Sequence, residues 1–84
     1  MRSVRVLFFA GARDAAGCEQ AEISWDGDAA LTIDEFWTLL EARHPKVAPL
    51  RPGVRLARNL EYMAGNESLF SGDEVAMIPP VSGG

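Results

Sequence analysis

Residues 31–45 of this 84-residue chain carry a complete set of helix signals, and those signals limit the fold more than any other feature. Thr32 stands where an N-cap is expected, and Glu35 three residues on completes a capping box. Leu31 and Phe36 take the N′ and N4 positions of a hydrophobic staple. Ile33, Phe36, Trp37 and Leu40 then fall at i, i+3, i+4 and i+7, which makes one apolar stripe. Pro45 predicts an end at or just before His44. A chain this short buries only about 60–65% of its unfolded surface, so a stripe of large apolar residues is needed as core.

The remaining segments read as short strands and turns. Ser3–Ala10 is a run of β-formers with Val4, Val6 and Phe8 on one face and Arg5, Leu7 and Phe9 on the other. Gly11–Glu19 reads as a loop with room for one helical turn over Ala12–Ala16. Gln20–Trp25 alternates and predicts a strand paired with the first in a hairpin, closed by turn residues Asp26-Gly27-Asp28. Val47–Gly53, with Pro49 and Pro52, reads as a loop or short turn. Val54–Asn59 and Glu61–Met63 predict two further strands around a tight bend. Asn66–Asp73 is a connector with Leu69 and Phe70 expected inward, and Glu74–Ile78 is the last strand.

The order β-β-α-β-β-β predicts an α+β domain in which one helix covers one face of a mixed sheet. With the charge-bearing faces outward, Phe9 and Ile78 point away from the helix. An apolar patch on an uncovered face marks a partner surface.

Charge and residue counts narrow the function. All eight Lys and Arg lie in residues 1–58. Residues 59–84 hold Glu61, Glu67, Asp73 and Glu74 and no basic residue, so the net charge of −4 falls in the last third. This predicts a basic partner and argues against nucleic acid, whose phosphates would be repelled. Cys18 is the one cysteine and His44 the one histidine, which leaves no metal-ligand cluster. Cys18 reads as a loop thiol and His44 as a surface residue at a helix end. No apolar run approaches the ~20 residues of a membrane span. Arg2 and Arg5 precede only a strand-length apolar stretch, so no secretory leader is expected and a cytoplasmic protein is.

The chain closes on Pro79-Pro80-Val81-Ser82-Gly83-Gly84. Two terminal glycines can pass through a channel that rejects larger residues. Their carboxylate is unhindered and open to activation. Pro79 and Pro80 fix φ and stiffen the exit from the last strand. From Pro80 to Gly84 an extended segment reaches about 16 Å, at roughly 3.3 Å per residue. Residues 1–79 are therefore expected to form the domain, and residues 80–84 a protruding flexible tail.

The run Gly72-Asp73-Glu74-Val75-Ala76-Met77-Ile78-Pro79-Pro80-Val81-Ser82-Gly83-Gly84 resembles the C-terminus of the small, sulfur-carrying subunits of molybdopterin synthase, which are ubiquitin-like. Val6-Leu7-Phe8-Phe9-Ala10 with Arg13, and Asn59 after a short strand, match the same family, so the resemblance spans the chain.

The resemblance implies a β-grasp fold with a mixed sheet of about five strands. It also implies a mechanism. An activating enzyme of the ubiquitin-activating type would use ATP to adenylate the Gly84 carboxylate. Sulfur from a persulfide donor would displace AMP and leave a thiocarboxylate. The tail would then enter the large subunit of the synthase and give its sulfur to a cyclic pyranopterin precursor. Catalytic groups are expected on that large subunit, in a heterotetramer of two small and two large subunits. No bound cofactor and no metal is expected on this chain. Phe9, Tyr62 and Ile78 map to an apolar partner contact, and Arg13 to a polar contact near the tail. Pro79, Pro80, Val81, Ser82 and Gly83 map to the inserted segment.

Three alternatives stay open on sequence. One is a sulfur carrier for thiamine synthesis or tRNA thiolation. Another is a protein modifier joined to lysines through Gly84. The third is a passive β-grasp binding module. A free-standing enzyme is not expected, since no nucleophile, base or metal constellation stands out.

Overall fold

A computed structural model describes residues 2–79. The elements run β1 (Arg2–Phe8), α1 (Ala10–Ala16), β2 (Gln20–Trp25), β3 (Leu31–Thr32), α2 (Ile33–Arg43), β4 (Arg55–Arg58), β5 (Glu61–Tyr62), β6 (Ser68–Leu69) and β7 (Glu74–Ile78). A 3-10 stretch over Pro45–Gly53 links α2 to β4.

Five strands form a mixed sheet in the order β2-β1-β7-β4-β5. β1 and β7 lie parallel at its centre, with Phe8 opposite Met77, and the other pairs are antiparallel. One main helix, α2, grips one face. This is the ubiquitin-like β-grasp, as expected.

Strand alternation sends one set of side chains into the core. Val4, Val6, Phe8, Ile23, Leu56, Val75 and Met77 are buried together with Phe36, Trp37 and Leu40 of α2. Each fully buried large side chain contributes about 1.5–3 kcal/mol. The helix forms where its signals place it. Thr32 Oγ1 accepts from the Glu35 N–H at 3.1 Å, and Glu35 Oε1 accepts from the Thr32 N–H at 3.0 Å. Leu31 and Phe36 are both buried, as a staple requires. Ile33, at the edge of the stripe, is half-buried.

Five local readings change. Residues after Phe9 form a full helix, α1, where a loop with room for one helical turn over Ala12–Ala16 was expected. Its periodicity is weak because Ala12 is its only buried residue. It ends on Gly17 at φ 77, the left-handed position that favours glycine.

Val47–Gly53 is likewise part of a continuous 3-10 run, with Val47 buried inside it. Within the expected connector, Ser68–Leu69 pair with Leu31–Thr32 as a second, two-stranded sheet. Alternation there sends Leu69 inward and Phe70 outward, so Phe70 is exposed rather than buried. Its N–H donates to Asp73 Oδ2 at 2.9 Å and opens the turn at Gly72. His44 is half-buried rather than on the surface, its ring edge-on to Phe8 with centroids 5.5 Å apart.

Candidate functional site

The sheet face opposite α2 carries the alternate residues of the same strands. Leu7, Ala76 and Ala57 lie side by side across β1, β7 and β4, and Tyr62 of β5 is opposite Ala57. No described helix covers them. At one end of this face β7 finishes at Ile78 and the chain leaves the sheet at Pro79. The inserted-segment residues Pro80, Val81, Ser82 and Gly83, and Gly84 itself, lie outside the described residues.

The structure brings together the three apolar contact residues named from the sequence. Phe9, Tyr62 and Ile78 line one shallow hollow of about 270 Å³ with Ala57, Leu60 and Ala76. Phe9 is 47% exposed and Tyr62 58%, while Ile78 is half-buried. Phe9 reaches this place because β1 stops at Phe8 and Phe9 becomes the extended N-cap residue of α1. Arg13 follows one helical turn later and is exposed. Its guanidinium lies 3.9 Å from the Glu19 carboxylate. It therefore flanks the hollow on the α1 side rather than lining it.

Two residues of this site escaped the sequence reading. Leu60 is 94% exposed at the tip of the β4–β5 hairpin. Asn59 and Leu60 both have positive φ, 49° and 76°. Two-residue hairpin turns of type I′ need this geometry, and Gly usually fills the second place. An apolar residue in the glycine place of such a turn is a signal visible in sequence. Arg55 is the second. Its guanidinium carbon sits 3.9 Å from the Tyr62 ring centroid, a cation–π stack. It is paired opposite Ile78. Only strand register reveals that neighbourhood.

Asn59 joins the hairpin to the start of β7. Its amide nitrogen donates to Asp73 Oδ1 at 3.3 Å, and its amide oxygen accepts from the Glu74 N–H at 3.1 Å. Its own N–H donates to the Glu74 carbonyl at 2.9 Å. This anchors the strand that carries the exit point.

The acidic residues of the last third sit at the other end. Glu74 opens β7 and pairs with Arg5 at 3.6 Å. Glu67 pairs with Arg58 at 2.9 Å. Asp73 is held by Asn59 and by the Phe70 N–H. Glu61 lies opposite Arg58. From Glu74 to Ile78 the strand runs about 13 Å, at roughly 3.3 Å per residue. The excess charge legible in sequence is thus partly neutralised and displaced from the exit point.

Among the described residues no group of three or more His, Cys, Asp or Glu could hold a metal ion. No helix among them is long and apolar enough to cross a membrane. Cys18 is half-buried between α1 and β2, with its Sγ 3.9 Å from the Ala16 carbonyl oxygen. It lines none of the hollow.

Residues 6–84 match the model of the ThiS family. The chain belongs to that family. Among similar proteins, a molybdopterin synthase sulfur carrier subunit from Chlamydomonas reinhardtii is 39% identical, covering 96% of this chain and 98% of that protein. The human molybdopterin synthase sulfur carrier subunit is 34% identical, covering 96% and 93%. The crystal structure of small archaeal modifier protein 1 from Haloferax volcanii superposes with a TM-score of 0.81 at 29% identity, covering 98% of this chain and 99% of that one. The family match runs from β1 through Gly84.

Proposed function

We propose that this chain is the sulfur-carrier subunit of a molybdopterin synthase, with the Gly84 carboxylate as its working group. The observation that carries the reading is the family match running through Gly84, joined to relatives of the same length that bear that name. The fold supports it. The last strand ends beside an uncovered apolar hollow, so a partner docking there would receive the segment that follows Pro79.

The chemistry follows from the weakness of a carboxylate as an electrophile. Its oxygen attacks the α-phosphorus of ATP on an adenylating enzyme of the ubiquitin-activating type, and pyrophosphate leaves. The acyl adenylate formed has AMP as a good leaving group. A persulfide sulfur displaces AMP, and reduction of the resulting acyl disulfide by a thiol leaves the Gly84 thiocarboxylate. In the large subunit that thiocarboxylate gives sulfur to the pterin precursor and returns to a carboxylate. This chain supplies the tail, Pro79 through Gly84, and the docking contacts Phe9, Tyr62, Ile78 and Arg13. The acid–base groups of transfer belong to the large subunit, and two copies of each chain make the working assembly. The carrier takes up no nucleotide or metal of its own and works in the cytoplasm.

Intact mass spectrometry tests this reading. After co-expression with the adenylating enzyme, one oxygen at Gly84 should be exchanged for sulfur. An unchanged mass, while a human-type carrier converts in parallel, ends the proposal.

A second reading is favoured by the likeness to small archaeal modifier protein 1, which is 33% identical over 90% of this chain. There Gly84 would form an isopeptide bond with a lysine of a target protein. Gly-Gly remnants on lysines of the native host proteome, lost on deletion of the gene, would favour it over a carrier role alone.

A further inference from the structure

Six of the seven arginines in the described residues are engaged. Arg2, Arg5, Arg13, Arg51 and Arg58 each reach a carboxylate, and Arg43 donates to the Glu22 carbonyl. Arg55 alone among these arginines has no acceptor within the described residues. It is exposed, and it lies across from Ile78, one residue before the chain leaves the sheet.

Its position is nonetheless fixed. Stacking on Tyr62 holds the guanidinium over the ring, 3.9 Å from its centroid. Among the described residues, nothing accepts from the N–H groups at its edge. Arg presents these donors as a planar fork that fits a carboxylate in two parallel hydrogen bonds. A side chain already ordered by stacking gives up less conformational freedom when it pairs. The surface beside it is apolar, through Tyr62, Ile78, Phe9 and the strained, exposed Leu60.

We infer that the large subunit which receives the tail meets this hollow with an apolar contact flanked by a carboxylate, and that this carboxylate pairs with Arg55. The assignment rests on the synthase reading above and deepens it. It also separates two parts of the partner. The pocket that takes the phosphate-bearing precursor is expected to be basic. The rim that docks against β4 and β7 is acidic, because it faces the Arg55 cation where β4 meets the end of β7, while Asp73 and Glu74 lie at the start of β7. Arg55 is a positioning residue here, since it sets the docked orientation and touches no reacting atom.

The test is stopped-flow association of the full-length carrier with its cognate large subunit across a range of salt. Arg55→Glu should slow association about tenfold or more at low ionic strength. The gap should narrow as salt rises, because a rim pair is screened. Arg55→Lys keeps the charge and should retain the salt dependence while shortening the lifetime of the complex severalfold. Asp28→Asn, in the turn after the opposite edge strand β2, should associate within about twofold of the parent chain. Should Arg55→Glu fold poorly by circular dichroism, Arg55→Gln replaces it, with a loss of about threefold expected.

Association of the charge-reversed chain at the parent rate, or faster, overturns the assignment. Mass conversion of Gly84 is followed on the same proteins. If the parent converts and binds while Arg55→Glu binds equally well, only the Arg55 assignment falls. If the parent neither converts nor binds, the synthase reading itself falls.

Discussion

The two faces of the five-stranded sheet are built from alternate residues of the same strands, yet they differ in almost every physical respect. The inner face is closed. Val6, Val75 and Met77 have no accessible surface, and α2 and the 3-10 stretch enclose them. The outer face is open, with Phe9, Tyr62 and Leu60 exposed and a single stacked cation beside them. Substitution on the inner face should therefore register as lost stability. Substitution on the outer face should register as lost docking with the fold intact.

The largest effect that would sharpen this contrast is Phe36→Ala. Phe36 is fully buried, so its truncation should cost about 3–5 kcal/mol in denaturant unfolding. A cost below about 1 kcal/mol would mean that the helix does not close the core.

Next comes Arg58, the last residue of β4. Its guanidinium donates to the Ser68 carbonyl at 2.7 Å and to Glu67 at 2.9 Å, and Glu67 in turn accepts from the Ala64 N–H. Arg58→Ala should cost about 1–2 kcal/mol and raise hydrogen exchange selectively over residues 64–69. Uniform exchange throughout the domain would contradict a local staple.

Thr32→Ala removes the N-cap and should cost about 1 kcal/mol by thermal unfolding. The same box carries a pH signature. The Thr32 backbone N–H, and then its hydroxyl, hold the Glu35 carboxyl below its ordinary value of 4.5. A depressed carboxyl stabilises the fold fully above its unfolded value. That contribution fades as pH falls through the carboxylate range. Glu35→Gln should accordingly flatten part of the acid limb of the stability curve, and an unchanged limb would remove Glu35 from the account.

The smallest effect carries the opposite sign. Leu60 holds a left-handed conformation that costs a side-chain-bearing residue about 1 kcal/mol. Leu60→Gly should leave stability equal or raise it by up to about 1 kcal/mol, while weakening association with the large subunit. A loss of stability would show that Leu60 belongs to the core rather than to the docking face.

Legibility of the chain in sequence follows the same divide. The capping box, the staple and the stop at Pro45 were readable because each depends on residues within a few positions of one another. β2 and β7 were readable to the residue, since alternation between turn residues marks both ends. α1 was not, because a seven-residue helix with one buried alanine has almost no periodicity and is held by packing. Phe70 was assigned inward because apolar character was taken as burial. The β3–β6 pairing that turns it outward joins residues far apart in the chain. Phe9 and Ile78 were found by parity alone, whereas Arg55 required the register of β4 against β7.

The sequence by itself determined the main helix, the five strands of the main sheet, the family and the Gly-Gly segment, all of which rest on local chemistry or on a contiguous motif. Only the tertiary structure decided where the charges act. It paired Glu74 with Arg5 and Glu67 with Arg58, and it left Arg55 stacked on Tyr62 beside Ile78 with no acceptor among the described residues. The reason is that a sheet assembles side chains by register between strands. Register brings together residues whose separation along the chain carries no trace of their proximity.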